Sequence, residues 1–179
     1  EKSMSVFTLG DFSCDSESRQ CKGTTKKGVR CKRRTKRQLP YCADHTRIIL
    51  QVAIRPSTIE AAGLGLFALR EFEVGENILL YEGEMIDKRE LNRRYGEGDE
   101  IAPYAVQVSK NKFLDGACAR GTANYVNTHP TNNNAILVHV RSPSRIFIQA
   151  SHTIQPDEEI FVDYGPYSFE YMHVDHTTK

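Results

Sequence analysis

Four side chains that can bind a metal ion lie close together near the start of this 179-residue chain. They are Cys21, Cys31, Cys42 and His45, and only two residues separate the last pair. Three thiolates and one imidazole fill the tetrahedral shell of a zinc ion and leave no position open, as in structural zinc sites. Because residues 19–47 contain few apolar side chains, they cannot form a core without a metal. We therefore predict a structural zinc site here, with Cys14 as a substitute ligand and a disordered basic tail as the alternative.

A tyrosine near the other end of the chain is the second candidate for chemistry. Tyr164 follows Asp163 at the end of a predicted strand over residues 160–162, and Gly165-Pro166 stops the run. The strand delivers both side chains to its own end, where functional sites are commonly built. From the residues alone, a catalytic tyrosine and a tyrosine packed at the edge of a sheet are equally compatible with this pattern.

Two glycines mark a third segment, Gly63-Leu64-Gly65-Leu66-Phe67-Ala68. It follows a predicted strand over residues 48–54 and matches G-x-G-x-x-A, the fingerprint of dinucleotide-binding βαβ units. That unit requires a helix before the next strand, whereas a turn follows almost at once at residues 74–76 and residues 77–81 predict a strand. The pattern therefore favours a β-hairpin over a nucleotide-binding unit.

The remaining elements are mostly short strands. Residues 103–108, 135–140 and 145–150 alternate or concentrate β-forming side chains, and residues 87–94 read as a short polar helix. Between them lies an Asn-rich segment that follows Asp115 and Gly121 and contains Asn124, Tyr125 and Asn127. On its own, this segment is better explained as a loop that caps a helix.

Taken in order, three of these segments resemble the motifs of SET-domain protein lysine methyltransferases. The glycine segment resembles the opening G-x-G-L-F-A, and residues 157–165 resemble the closing G-E-E-L-T-x-D-Y-G. The Asn-rich segment resembles G-N-x-x-R-F-I-N-H-S-C-x-P-N. It departs from that pattern because Asn124 stands where Arg is usual, and Thr128 and His129 stand where His and Ser are usual.

The resemblance implies a mainly β SET fold, with several small sheets and a C-terminal strand threaded through a loop as a pseudoknot. The chain then divides into a flexible N-terminus (1–18), a basic zinc-binding segment (19–47), a SET domain (48–167) and an aromatic C-terminal tail (168–179). The implied activity is S-adenosylmethionine-dependent methylation of a protein lysine on a histone tail. A SET-fold binding module that has lost catalysis is the alternative, given the altered segment after Asn127.

The family's site residues carry over to matching positions of this chain. Tyr164 and Tyr104 are the expected catalytic residues, and Tyr81, Tyr104 and Val162 are expected to line the substrate channel. The expected contacts to S-adenosylmethionine are Gly63, Leu64, Gly65, Asn124, Tyr125, Asn127, Thr128 and Tyr167.

Charge is distributed unevenly along the chain. Residues 19–47 contain eleven Lys or Arg and one acid, whereas residues 48–179 contain twelve basic and eighteen acidic residues. An acidic body favours a basic protein substrate such as a histone tail, and the basic segment leaves a nucleic-acid-binding protein as another alternative. No apolar run is long enough to span a bilayer and no signal peptide opens the chain. We therefore expect an intracellular protein without a membrane partner, and the nucleus is the favoured location. The sequence is compatible with either a monomer or a homodimer.

Overall fold

The computed structural model describes residues 8–9, 12–13, 18–35, 39–96, 102, 104–141 and 144–163. The sequence predictions for Cys14, Tyr164, Tyr167 and the aromatic tail lie outside these ranges. The described chain is mainly β, in five small sheets. None of the helices in this part of the chain has the length and apolar character that a membrane span requires.

The N-terminal part contains only short elements. Strands β1 and β2 pair with each other, as do β3 and β4, and both pairs are antiparallel. The zinc-binding segment ends in a single helical turn, α1, which continues into a π-helical turn. In order, these elements span Thr8–Leu9 (β1), Phe12–Ser13 (β2), Arg19–Gln20 (β3), Arg34–Thr35 (β4), Ala43–His45 (α1) and Thr46–Leu50 (the π-helical turn).

Three three-stranded sheets form the body, with strand orders β13-β6-β5, β11-β12-β7 and β8-β10-β9. All pairs within them are antiparallel. Their elements span Val52–Pro56 (β5), Leu64–Ala68 (β6), Asn77–Leu80 (β7), Glu84–Asp87 (β8), Lys88–Tyr95 (α2), Ala105–Ser109 (β9), Lys112–Asp115 (β10), Thr122–Tyr125 (a 3₁₀ turn), Ala135–Arg141 (β11), Ser144–Ala150 (β12) and Glu159–Ile160 (β13).

The main core lies between the β5–β6 and β7–β11–β12 sheets. Val52, Leu66, Ile148, Ile154 and Ile160 are fully buried in it. After β13, the chain makes parallel bridges from Phe161 to Asn127 and from Val162 to Ala135. The C-terminal strand is therefore held against both the Asn-rich segment and the start of β11.

The strand predicted over residues 48–54 is wrong in its first half. Thr46–Leu50 are helical because they continue the turn begun at Cys42, whose carbonyl accepts a hydrogen bond from the Thr46 amide. Ile48 and Ile49 are largely exposed, so no sheet face recruits them. Gln51 then adopts a left-handed conformation (φ 56°) that ends the helix, and β5 begins at Val52.

The predicted polar helix is present as α2. Asp87 caps it by accepting a hydrogen bond from the Glu90 amide at 2.8 Å. Its inner face buries Leu91 and Tyr95 against Ile86 and Phe113, which form a second, smaller core.

Candidate functional site

The four predicted metal ligands converge in space. The ligand atoms of Cys21, Cys31, Cys42 and His45 all lie within 4.8 Å of one another, and the three thiols are buried. His45 Nδ1 lies 3.3 Å from the Cys42 sulfur and 3.6 Å from that of Cys21. This donor set and spacing fit a tetrahedral zinc ion.

Groups around the ligands orient them for metal binding. His45 Nε2 lies 2.8 Å from the Thr24 carbonyl oxygen, so its N–H is donated there and Nδ1 keeps its lone pair toward the thiols. A Cβ on Gly23 would lie 2.3 Å from the imidazole ring, so only glycine leaves room for it. Burial raises the pKa of the Cys42 thiol, but hydrogen bonds from the backbone and ring of His45 outweigh that effect and lower it to about 6.

The zinc-binding segment packs beside the body. Lys22, Pro40 and Tyr41 line one side of a cavity of about 220 Å³. Leu79 and Thr122 are among the body residues that line the other side. The segment therefore lies next to the 3₁₀ turn of the Asn-rich region.

The glycine segment and the Asn-rich segment, although far apart in sequence, meet through Asn127. Its side-chain amide donates to the Leu64 carbonyl and to Glu159 Oε1, both at 3.1 Å. Gly63 has a left-handed φ of 73°, which favours glycine at this turn into β6. Gly63, Leu64, Gly65 and Asn127 thus lie in one site.

Glu159 connects this site to the preceding loop. Its carboxylate, which is 3% exposed, accepts hydrogen bonds from Ser57 Oγ, the Thr58 amide and Thr58 Oγ1 at 2.6–2.8 Å, in addition to the Asn127 amide. A Cβ on Gly65 would lie 1.9 Å from Glu159 Oε1. Gly65 is therefore required by the packing of a protein carboxylate, a reason that its sequence motif did not reveal.

Several buried polar atoms of the Asn-rich segment remain without a partner. They are Arg120 Nη2, Thr122 Oγ1 and Thr128 Oγ1, none of which has a hydrogen-bond partner among the described residues. Buried polar groups of proteins are almost always hydrogen-bonded. Each of these three atoms is free to bond a polar group that the described residues do not supply.

Tyrosine rings pack against Arg120, a buried residue of the same segment. The guanidinium of Arg120 stacks over the ring of Tyr104, with Tyr125 also within cation–π range. Tyr81 donates its hydroxyl hydrogen to the Tyr104 carbonyl at 3.1 Å, and the Gly116 amide donates to the same oxygen at 2.9 Å. Burial raises the pKa of Tyr81, which keeps its hydroxyl protonated. The structure thus brings the predicted Tyr81, Tyr104 and Tyr125 together and adds Arg120.

Val162 lies in the main core and is fully buried. Its amide donates to the Asn127 carbonyl at 2.9 Å, so it lies next to the site formed by Gly63–Gly65 and Asn127. Asn134, which the sequence did not single out, fixes the same strand. Its side chain accepts from the Phe161 amide and donates to the Glu159 carbonyl, both at 2.9 Å.

A buried ion pair lies next to the tyrosine cluster along the chain. Asp115 is fully buried and accepts hydrogen bonds from Arg94 Nη1 (2.8 Å), the Tyr95 hydroxyl and the Ala117 amide. These contacts join α2 to β10 directly before Gly116, which bonds Tyr104. Only Asp115 of this group carried a sequence signal.

Comparison with known proteins identifies relatives of this arrangement. The SET domain family matches residues 63–165, more than half of the chain. The "Histone-lysine N-methyltransferase EZH2" of Chaetomium thermophilum is 30% identical over 124 residues, which cover 64% of this chain and 8% of that protein. An H3 lysine-4 specific histone-lysine N-methyltransferase of Schizosaccharomyces pombe is 31% identical over 143 residues, which cover 72% of this chain and 15% of that protein.

Solved structures show the same similarity. A ctPRC2 structure in an autoinhibited conformation, bound to S-adenosylmethionine, has a TM-score of 0.53 and 30% identity over 64% of this chain and 15% of that chain. The Chaetomium thermophilum polycomb repressive complex 2 has a TM-score of 0.55 and 29% identity over the same shares. The chain therefore spans only a small part of the length of the relatives it matches.

Proposed function

This chain belongs to the SET-domain family, and from that premise we propose that it is a protein lysine N-methyltransferase that uses S-adenosylmethionine. The observation that carries the proposal is the junction of Gly63–Gly65 with Asn127, where the Asn127 side-chain amide bonds the Leu64 carbonyl. Its similarity to proteins named as histone-lysine N-methyltransferases, and to a structure that holds this cofactor, supports the same activity.

The cofactor would be held by the residues at that junction. We assign this role to Gly63, Leu64, Gly65, Asn124, Tyr125, Asn127, Thr128 and Tyr167. The unsatisfied Thr128 Oγ1 would gain the polar partner that it lacks. When bound, S-adenosylmethionine supplies the methyl group that is transferred.

The chain's own residues would make the substrate lysine reactive. Only a neutral amine is nucleophilic, and a free lysine with a pKa of about 10.4 requires about 4.6 kcal/mol to deprotonate at neutral pH. A channel walled by Tyr81 and Tyr104 excludes water and disfavours the ammonium form. The Tyr164 hydroxyl would orient the neutral amine, and Val162, smaller than Phe or Tyr, would leave room for a second or third methyl group.

The proposed substrate is a basic protein segment, a histone tail in particular. Residues 48–179 carry eighteen acidic and twelve basic side chains, so the body attracts cationic peptides. A histone substrate would place the protein in the nucleus.

We also propose that Cys21, Cys31, Cys42 and His45 bind one structural zinc ion. The support is the convergence of the four ligand atoms and the hydrogen bond that fixes the His45 tautomer. Zinc here would order the N-terminal segment and leave the reaction to the SET domain.

The test is methyl transfer by the purified chain to core histones, with the products analysed by mass spectrometry and cofactor binding measured by calorimetry. We expect binding of S-adenosylmethionine and di- or trimethylated lysine. Cofactor binding without any transfer would instead favour a catalytically impaired binding module. The replacement of the usual His-Ser pair by Thr128-His129 makes that module the second candidate. Absence of both binding and transfer would overturn the proposal.

A further inference from the structure

The zinc-binding segment (19–47) lies entirely before the matched SET region, which starts at residue 63. Its surface is strongly basic. Its described residues, 18–35 and 39–45, contain eight Lys or Arg side chains and one acid, Asp44. Asp44 pairs with Arg33, and both side chains are more than half exposed. This segment therefore carries a large positive charge that its own residues do not compensate.

Arginines and lysines occupy different places in this segment. Arg30 donates to the carbonyls of Gln20 and Cys21 at 3.2 Å, and Arg34 donates to Ser18 Oγ at 2.7 Å. These arginines therefore fasten the backbone around the metal ligands. Lys26, Lys27 and Lys32, in contrast, are exposed and make no ion pair within the described part of the chain.

Two of these lysines lie at the tip of a tight loop. The Thr25 amide donates to the Val29 carbonyl at 2.8 Å, and the Gly28 amide donates back to the Thr25 carbonyl at 2.9 Å. Gly28 has a left-handed φ of 74°, which closes the turn. The loop thus projects the ammonium groups of Lys26 and Lys27 from a backbone that the metal ligands anchor on both sides.

We propose that the three exposed lysines Lys26, Lys27 and Lys32, named the lysine face below, bind the phosphate backbone of nucleic acid without reading its bases. Lysine ammonium groups bind phosphates as point charges, and such contacts carry no sequence information. Anionic lipid is a poorer fit because stable membrane binding needs apolar anchors, and Val29 is the one large apolar side chain exposed in the described part of this segment. The acidic body repels a polyanion, so contact is confined to the basic segment.

The experiment measures binding of the full, zinc-loaded chain to a fluorescein-labelled duplex DNA of about 20 base pairs as salt is raised. We expect the logarithm of the affinity to fall linearly with the logarithm of salt concentration. The triple variant Lys26→Gln, Lys27→Gln, Lys32→Gln should bind about tenfold more weakly or worse, with a salt slope shallower by about one to three. A matched triple variant of exposed body residues, Arg89→Gln, Lys110→Gln, Lys112→Gln, removes the same charge and should bind like the wild type.

Zinc content and thermal melting of each variant establish that the fold is retained. Duplex RNA and single strands as further probes distinguish which nucleic acid is bound best; binding to any of them through this face supports the proposal. Equal losses in the two triple variants, or absence of salt-sensitive binding by the wild type, would overturn it. So would equal or tighter binding to vesicles that contain phosphatidylserine. Methyl transfer to a free basic peptide should be unchanged in the Lys26/Lys27/Lys32 variant, so this test is independent of the proposed enzyme activity.

Discussion

The guanidinium carbon of Arg120 lies 4.0 Å from the ring centroid of Tyr104, and the arginine is only 4% exposed. Tyr81 and Tyr125 lie near this cluster, as does Asp115, which pairs with Arg94. Arg94 also pairs with Glu84 and Glu90, and Glu82 approaches the cluster at Gly121. Arg120 therefore places one buried positive charge beside the proposed lysine channel. A like charge disfavours the ammonium form of an entering lysine.

Arg120→Met should therefore raise the pKa of the bound substrate amine. The rising limb of kcat against pH should move to higher pH by about one unit, so turnover near neutrality should fall by about tenfold. Arg120→Lys keeps the positive charge and should leave the limb close to its wild-type position. A limb that does not move in Arg120→Met, in a protein that melts normally, would contradict this role.

Glu159 offers a second test because it receives four donors in a buried position. In Glu159→Gln one acceptor oxygen becomes an N–H₂ group that faces those donors. We expect a loss of about 1–3 kcal/mol in the free energy of unfolding, together with weaker binding of S-adenosylmethionine. The neighbouring Glu158 is exposed and accepts from the Gln155 amide at 2.9 Å and from Asn134 at 3.3 Å. Because these bonds are solvent-accessible, Glu158→Gln should cost about 1 kcal/mol or less and leave binding of S-adenosylmethionine unchanged. Equal effects of the two substitutions, measured by urea unfolding and calorimetry, would argue against Glu159 as the organiser of this site.

The zinc site can be tested with two glycines of the same loop. Gly23→Ala would place its Cβ 2.3 Å from the His45 ring, so it should displace that ligand and lower the zinc content well below one ion per chain. Gly28→Ala has open space around its Cβ but a left-handed φ, so it should cost about 1 kcal/mol and keep the metal. Metal analysis after dialysis against a chelator separates the two. Full zinc retention by Gly23→Ala would show that His45 is not a ligand.

Arg93 and Arg94 make a matched pair on helix α2. Both bond Glu90, but Arg94 also reaches the fully buried Asp115. Arg94→Met leaves that carboxylate without its counter-charge and should cost about 3–5 kcal/mol of unfolding free energy. Arg93→Met, at an exposed position, should cost about 1 kcal/mol or less. Chemical denaturation at neutral pH measures both, and similar costs would mean that the Arg94–Asp115 pair stabilises little.

The Arg93 contribution should also depend on pH. Hydrogen bonds from Arg93 and Arg94 lower the pKa of Glu90 to about 2, below its ordinary value. A depressed carboxyl pKa contributes stability that is present at neutral pH and lost as pH falls through the folded value. The difference between wild type and Arg93→Met should therefore shrink as the pH approaches 2.

How far the sequence predicts this molecule depends on how local each signal is. The predicted ligands Cys42 and His45 are three residues apart, so their spacing already indicates a metal site. The polar helix α2 is likewise predicted from a short, continuous stretch of sequence. Glu159, however, bonds residues 32 to 102 positions away, which no spacing rule connects. The side chains of Ile48 and Ile49 favour a strand, yet the helical turn that starts at the predicted metal site extends through them. Arg120 gives no sequence signal because its role depends on stacking against Tyr104, which directly precedes β9.

Tyr164 carries the prediction that most directly tests the proposed reaction. It lies outside the described residues, directly after Asp163, and its role rests on its match to the closing motif of the family. Tyr164→Phe removes only the hydroxyl oxygen, so ring packing and the melting temperature should be kept. Because the hydroxyl is assigned to orienting the amine, kcat should fall by about a hundredfold or more, the loss typical of one preorganised polar contact. Affinity for S-adenosylmethionine should change little.

Tyr41→Phe, a hydroxyl deletion in the zinc-binding segment, serves as the matched control and should retain full turnover. Single-turnover methylation, cofactor calorimetry and thermal melting on the same preparations provide the measurements. Near-normal turnover by Tyr164→Phe would mean that this tyrosine only packs and that another group positions the amine.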